Sequence, residues 1–118
     1  METPKHIDLT YLKELSNGSN EFMLQMINLF IATMPQMVAD LETYLIAENW
    51  PSIRTTAHKM KPSVSFMGLK EIETDIALLE SYAAEKVHLD RLPEMISKIK
   101  AISFLGIAEL ELQKKCFS

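Results

Sequence analysis

The sequence predicts an all-α fold, an antiparallel up-down four-helix bundle with a short extra helix at its N-terminus. Three observations carry that expectation. Every long apolar segment repeats at three and four residues, the spacing of a helix that buries one face. No alternating strand pattern and no Asn-Gly hairpin signal appears. The connections between the long segments are short, which makes sequential helices antiparallel neighbours. The chain reads as one domain over 1–118, with no internal repeat, linker or low-complexity stretch, and it is long enough to bury a single core.

Residues 1 to 6 read as a tail, with His6 exposed and idle. Asp8 is placed to cap a short helix holding Leu9, Leu12 and Leu15. Ser16-Asn17-Gly18-Ser19 is a turn, with Gly18 supplying a left-handed stop. Ser19 or Asn20 caps the next helix, and Glu21 lies in its favoured first turn. From about 20 to 33 that helix has Phe22, Met26, Leu29 and Phe30 on one face, while Met23, Leu24, Ile27, Ile31 and Met34 widen the apolar surface well beyond one stripe. Two readings stand: a central helix covered on several sides, or a helix whose Met23 and Ile27 form an exposed docking patch. Pro35 kinks this helix or starts a new one, and a seam of Met34, Val38, Leu41 and Leu45 continues to about Glu48.

Asn49-Trp50-Pro51 is a helix start, with Asn49 as cap and Pro51 in the first turn. Ile53, Ala57, Met60, Val64 and Met67 form the seam of the helix that follows, and Gly68 ends it. Leu69, Ile72, Ile76, Leu79 and Ala83 give the next helix a clean stripe, with Glu71, Glu73, Asp75 and Glu80 mostly off it. A loop near Glu85 to Leu89 carries a solvated His88. Asp90 is expected to cap the last helix, with Pro93 in its first turn, and Leu92, Ile96, Ile99 and Leu110 lie on one side, interrupted by Gly106. Lys114 and Lys115 close it, favourable for the helix dipole.

One residue stands out on this frame. His58 lies roughly 140° from the centre of its helix's apolar seam, so it points at water or at the rim, with Arg54, Lys61 and Ser65 on the same outward sector. Most single histidines are surface or satisfied core residues without a chemical role. The charge pattern sets this one apart. The chain is acidic, with 16 Asp+Glu against 12 Lys+Arg, yet from Asn49 to Lys70 there is no acid while Arg54, Lys59, Lys61 and Lys70 are present. Uncompensated positive charge around one imidazole suits an anion or an acidic partner surface, and a nearby cation favours the neutral, nucleophilic ring.

Ala57-His58-Lys59-Met60-Lys61, followed by Gly68-Leu69, resembles the signature of histidine-containing phosphotransfer (HPt) domains, which runs Ala-His-x-apolar-Lys-Gly with a second Gly further on. The Asp8-Leu9-x-Tyr11-Leu12 opening, the apolar segment containing Pro35, and Asn49-Trp50 also look like that family, so the resemblance covers nearly the whole chain. It implies that His58 is phosphorylated, that Lys61 steadies the phosphoryl group, and that Gly68 is the family's second Gly. Pro62 departs from the pattern, which commonly has Gly there. A proline in a helix interior costs about 3 kcal/mol unless the helix bends, so a kink or loosened turn is expected just after His58.

The resemblance further implies receiver domains of response regulators and a hybrid sensor histidine kinase as partners, and magnesium on the receiver rather than any cofactor on this chain. Lys59 or Arg54 would assist Lys61, with Ser65 beside them. The residues themselves exclude other chemistries. There is no Gly-rich phosphate loop and no Ser/His/Asp or Cys/His set. A metal site would need His6, His58 and His88 to converge from distant segments, so none is expected. The acidic balance argues against nucleic acid. Lone Cys116, an opening that lacks the apolar core of a signal peptide, and no run approaching a membrane span lead to the expectation of a reduced, cytoplasmic protein without membrane insertion, and a monomer is expected. The rival readings are a non-catalytic helical adaptor that docks an acidic protein, with His58 incidental, and a dimeric phosphotransfer bundle in which two chains pair their helices.

Overall fold

A computed structural model describes residues 6–118; the predicted tail over 1–5 lies outside the described residues. The chain forms α1 (Thr10–Ser16), α2 (Asn20–Ile46), α3 (Trp50–Phe66), α4 (Lys70–Glu85) and α5 (Leu92–Gln113), with 3-10 turns over Leu89–Arg91 and Lys114–Phe117. No strand occurs among the described residues. The four long helices form the antiparallel bundle: α2 packs on α3 and α5, α4 packs on α3 and α5, and α1 braces the start of α2.

The caps follow from local chemistry. Ser19 Oγ accepts from the Phe22 N–H at 3.1 Å, and Asn49 Oδ1 accepts from the Ser52 N–H at 3.3 Å, each satisfying an otherwise orphaned donor. Asp90 does not cap α5 as expected. The chain instead winds through Leu89–Arg91 into α5 with no side-chain cap bond, and Pro93 supplies the preset φ of the first turn. Neither internal proline breaks its helix. α2 runs unbroken through Pro35, and α3 continues for four residues beyond Pro62, so the loosened turn expected after His58 does not interrupt it.

α2 is long and apolar enough, by length and composition, to cross a membrane, with mean hydropathy 1.4 over 18 residues. That corrects the expectation that no run approaches a span; the cause is that no charged residue occurs between Glu21 and Asp40. Here Met23, Ile27, Phe30, Met34, Val38 and Leu41 form its buried seam at three- and four-residue steps, as a bundle helix requires. Met23 and Ile27 are therefore core residues, and the proposed docking patch on them is wrong. The outward apolar residue of that stretch is Leu29.

Two glycines are explained by packing. Gly68 takes φ +65, and the Leu69 N–H reaches back to the Val64 carbonyl at 3.1 Å to close α3. A Cβ on Gly68 would meet the Asp8 carbonyl oxygen at 2.2 Å, because the Asp8 N–H donates to the Met67 carbonyl at 3.1 Å and draws the N-terminal segment across the turn. Gly106 leaves room for Leu69 and Ile7, which is why the α5 stripe is interrupted there. His6 is not idle. Its backbone N–H donates to the Glu109 carboxylate at 2.8 Å and its ring Nδ1 bonds Glu71, tying the segment to α5 and α4 while Ile7 and Leu9 bury their side chains.

Candidate functional site

α3 presents its outer face because its inner one is fully used. Ile53, Ala57, Met60 and Val64 have no exposed surface. Their seam fixes the rotation of the helix and leaves His58 with 72% of its side chain accessible. Burial of four such side chains holds that orientation with several kcal/mol, at about 1.5–3 kcal/mol for each large apolar group.

The imidazole has a partner that charge counting along α3 missed. Glu80 of α4 accepts from His58 Nδ1 through Oε2 at 2.6 Å, and its Oε1 accepts from Lys61 Nζ at 2.9 Å. Only 18% of the Glu80 side chain is exposed. The hydrogen bond from Lys61, and then that from His58, hold its carboxyl below the usual carboxylate range, against the opposing effect of burial. The expectation of uncompensated positive charge is thereby corrected for Lys61, whose acid is supplied by α4, while Arg54, Lys59 and Lys70 make no ion pair among the described residues.

This arrangement determines which nitrogen can act. A carboxylate only accepts hydrogen bonds, so the neutral ring facing it keeps its proton on Nδ1. The Nε2 lone pair is then directed away from Glu80. The site is an imidazole whose neutral form has a defined tautomer, with a cation one turn along the helix and no wall over the nucleophilic atom.

The remaining predicted residues divide by face. Ser65 lines a shallow groove of about 140 Å³ between α3 and α4 with Lys61, Val64, Glu73 and Ile76, continuing the His58 face. Arg54 is exposed one turn before His58 and makes no ion pair among the described residues. Lys59 points the other way, into a groove with Met37, Asp40, Tyr44, Ser52, Thr55 and Thr56 on the α2 side. Gly68 lies ten residues beyond His58, roughly 15 Å along the helix, and is a packing residue rather than part of the site. Met23 and Ile27 are in the core. No cluster of potential metal ligands occurs among the described residues.

A signal for Glu80 was present. α3 and α4 form a hairpin about the Gly68-Leu69 turn, so residues equally far from it meet. His58 is ten before Gly68 and Glu80 eleven after Leu69. The same arithmetic pairs Ser65 with Glu73, which the groove bears out.

Comparison with known proteins bears on the family and the fold. The family model described as Hpt domain matches residues 25–105, which include α3, α4 and His58. The crystal structure of histidine-containing phosphotransfer protein B (HptB) from Pseudomonas aeruginosa PAO1 aligns with a TM-score of 0.86 at 20% identity, over 98% of this chain and 100% of that one. No curated protein matches.

Proposed function

Since the chain belongs to the Hpt domain family, we propose that it is the histidine phosphotransfer protein of a two-component phosphorelay and that His58 is its phosphoryl carrier. The observation that carries this is the exposed imidazole whose Nδ1 is held by Glu80 while Nε2 is open.

In this mechanism a receiver domain bearing an aspartyl-phosphate docks over α3. The Nε2 lone pair attacks phosphorus, the N–P bond forms, the acyl P–O bond breaks, and the bonding pair leaves on the receiver's carboxylate. The ring becomes a phosphoimidazolium that keeps its Nδ1 proton, and the Glu80 carboxylate stabilises the new positive charge. Lys61, next to the site, offsets charge on the phosphoryl oxygens, with Arg54 within reach of the same sector. Magnesium belongs to the receiver. Transfer to a second receiver is the reverse step on another carboxylate, and alignment in the docked pair supplies much of the acceleration. A hybrid sensor kinase is the upstream source that fits this role, and the proposed role is a cytoplasmic one. Against the adaptor reading stands the pairing of Lys61, one of the cations it relied on, with Glu80.

The test is phosphoryl transfer from a phosphorylated receiver domain. Acid-labile, base-stable label should appear on this chain and be absent from His58→Gln. Label retained by His58→Gln, or none from any receiver of the source organism, would refute the proposal.

A further inference from the structure

α3 is short of one hydrogen bond, and the gap falls at the reactive residue. In a helix each carbonyl accepts from the N–H four residues on. Four beyond His58 stands Pro62, which has no N–H. α3 runs on to Phe66, yet the His58 carbonyl has lost its helical donor. Hydroxyls elsewhere on α3 do turn back onto carbonyls of their own helix, Thr55 onto Pro51 at 3.0 Å and Thr56 onto Ser52 at 2.9 Å. Among the described residues no side chain does this for His58.

Packing does not explain the proline. Pro62 is exposed, so its ring fills no space in the core, whereas Pro35 of α2 is half-buried. A proline inside a helix is costly, and at an exposed position almost any other residue is tolerated better. The cost is met one turn from the imidazole.

The placement gives the gap its meaning. Four residues advance a helix by about 6 Å and turn it by about 40°, so Pro62 follows His58 on the same outward sector. Lys61 is turned about 60° the other way, toward Glu80 of α4. The ring of Pro62 crowds the His58 carbonyl and tilts it away from the helix axis. An acceptor thus opens on the exposed surface beside the imidazole, on the flank that Glu80 does not occupy.

We propose that the His58 carbonyl is a docking acceptor, and that the receiver domain exchanging phosphate with His58 carries an N–H or O–H donor to meet it. This rests on the phosphotransfer reading above. A solvent-exposed carbonyl is hydrated, and a protein that docks over the imidazole expels that water. A receiver that brings a donor keeps the bond. One without a donor leaves a desolvated oxygen unpaired, which costs more than the bond itself gains. Pro62 is thereby a specificity-determining residue: it selects receivers by penalising those that lack the donor.

The experiment compares Pro62→Ala and Pro62→Gly with the unmodified protein. Both restore the N–H, and with it the helical bond to the His58 carbonyl, but they differ in side chain. Transfer is followed against the concentration of the phosphorylated receiver domain that reacts fastest. Phosphoramidate serves as the donor that does not dock. Both variants should raise KM for the receiver about fivefold with kcat little changed, the effect of one net hydrogen bond. Phosphoramidate should label all three proteins at the same rate. Pro62→Ala should also melt higher by roughly 5–10 °C, which shows that the helical bond has been restored.

An unchanged KM in either variant would overturn the proposal, since both fill the acceptor. So would an equal fall in the phosphoramidate rate, because Pro62 would then act by placing the imidazole. Normal transfer with unchanged KM sinks this proposal alone. An unmodified protein that takes phosphate from no receiver sinks the phosphotransfer reading, and this proposal with it.

Discussion

Replacing Glu80 by Gln tests the chemistry assigned to the site. The amide has nearly the same shape but one accepting oxygen in place of two. Glu80 now accepts from His58 Nδ1 at 2.6 Å and from Lys61 Nζ at 2.9 Å. Gln can serve one of them; the other meets an N–H. With the oxygen on Lys61, the amide N–H faces Nδ1, favours the opposite tautomer and moves the ring proton onto Nε2. A hydrogen bond to a charged group contributes about 1.5–3 kcal/mol. His58 is 72% exposed, so water competes and the lower end applies. At about 1.4 kcal/mol per factor of ten, the variant should be phosphorylated roughly tenfold more slowly. The assay uses phosphoramidate as donor, which removes receiver docking from the measurement, and follows label on His58 at neutral pH. A rate equal to that of the unmodified protein would refute the tautomer argument. Equilibrium unfolding against pH gives a second reading. The carboxyl of Glu80 is lowered in the folded state from an ordinary value near 4.5, so its stabilising contribution is present above that pH and lost as pH falls through the folded value. Glu80→Gln should lack this part of the acid destabilisation.

Three further outcomes follow from the packing. Lys61→Ala should slow transfer from a receiver several-fold more than Lys59→Ala, because Lys59 faces the α2 groove; equal rates would remove Lys61 from the mechanism. Gly68→Ala should lower stability by roughly 3 kcal/mol, about 10 °C in Tm, since a left-handed backbone costs about 1–2 kcal/mol and the new methyl group displaces the segment that buries Ile7 and Leu9. Thermal unfolding measures it. Ser103→Ala should raise stability by about 1 kcal/mol in urea titration, because the Ser103 hydroxyl is buried with no partner among the described residues.

What could be read from the chain depended on whether the cause was local. Periodicity located the seams of α3 and α4, since one helix's stripe is a property of that helix alone. The outward direction of His58 followed from the same count. Asn49 and Ser19 were legible as caps because a cap acts within three residues. Met23 and Ile27 were misplaced because α2 is apolar on nearly every side, and which side is covered depends on where α3 and α5 lie. Glu80 and His6 were missed for a related reason. Glu80 acts across 22 residues and His6 across 103, so a reading by neighbours along the chain left one on a solvated face and the other in a tail.

The reactive imidazole stands on a helix anchored along its whole inner edge, not on a loop. Such a mounting cannot remould itself to each visitor. Adaptability must come from the proteins that approach it, and on the proposed function any two that exchange phosphate through it must share one surface contour. A newcomer lacking that contour is turned away by shape, before any chemistry begins.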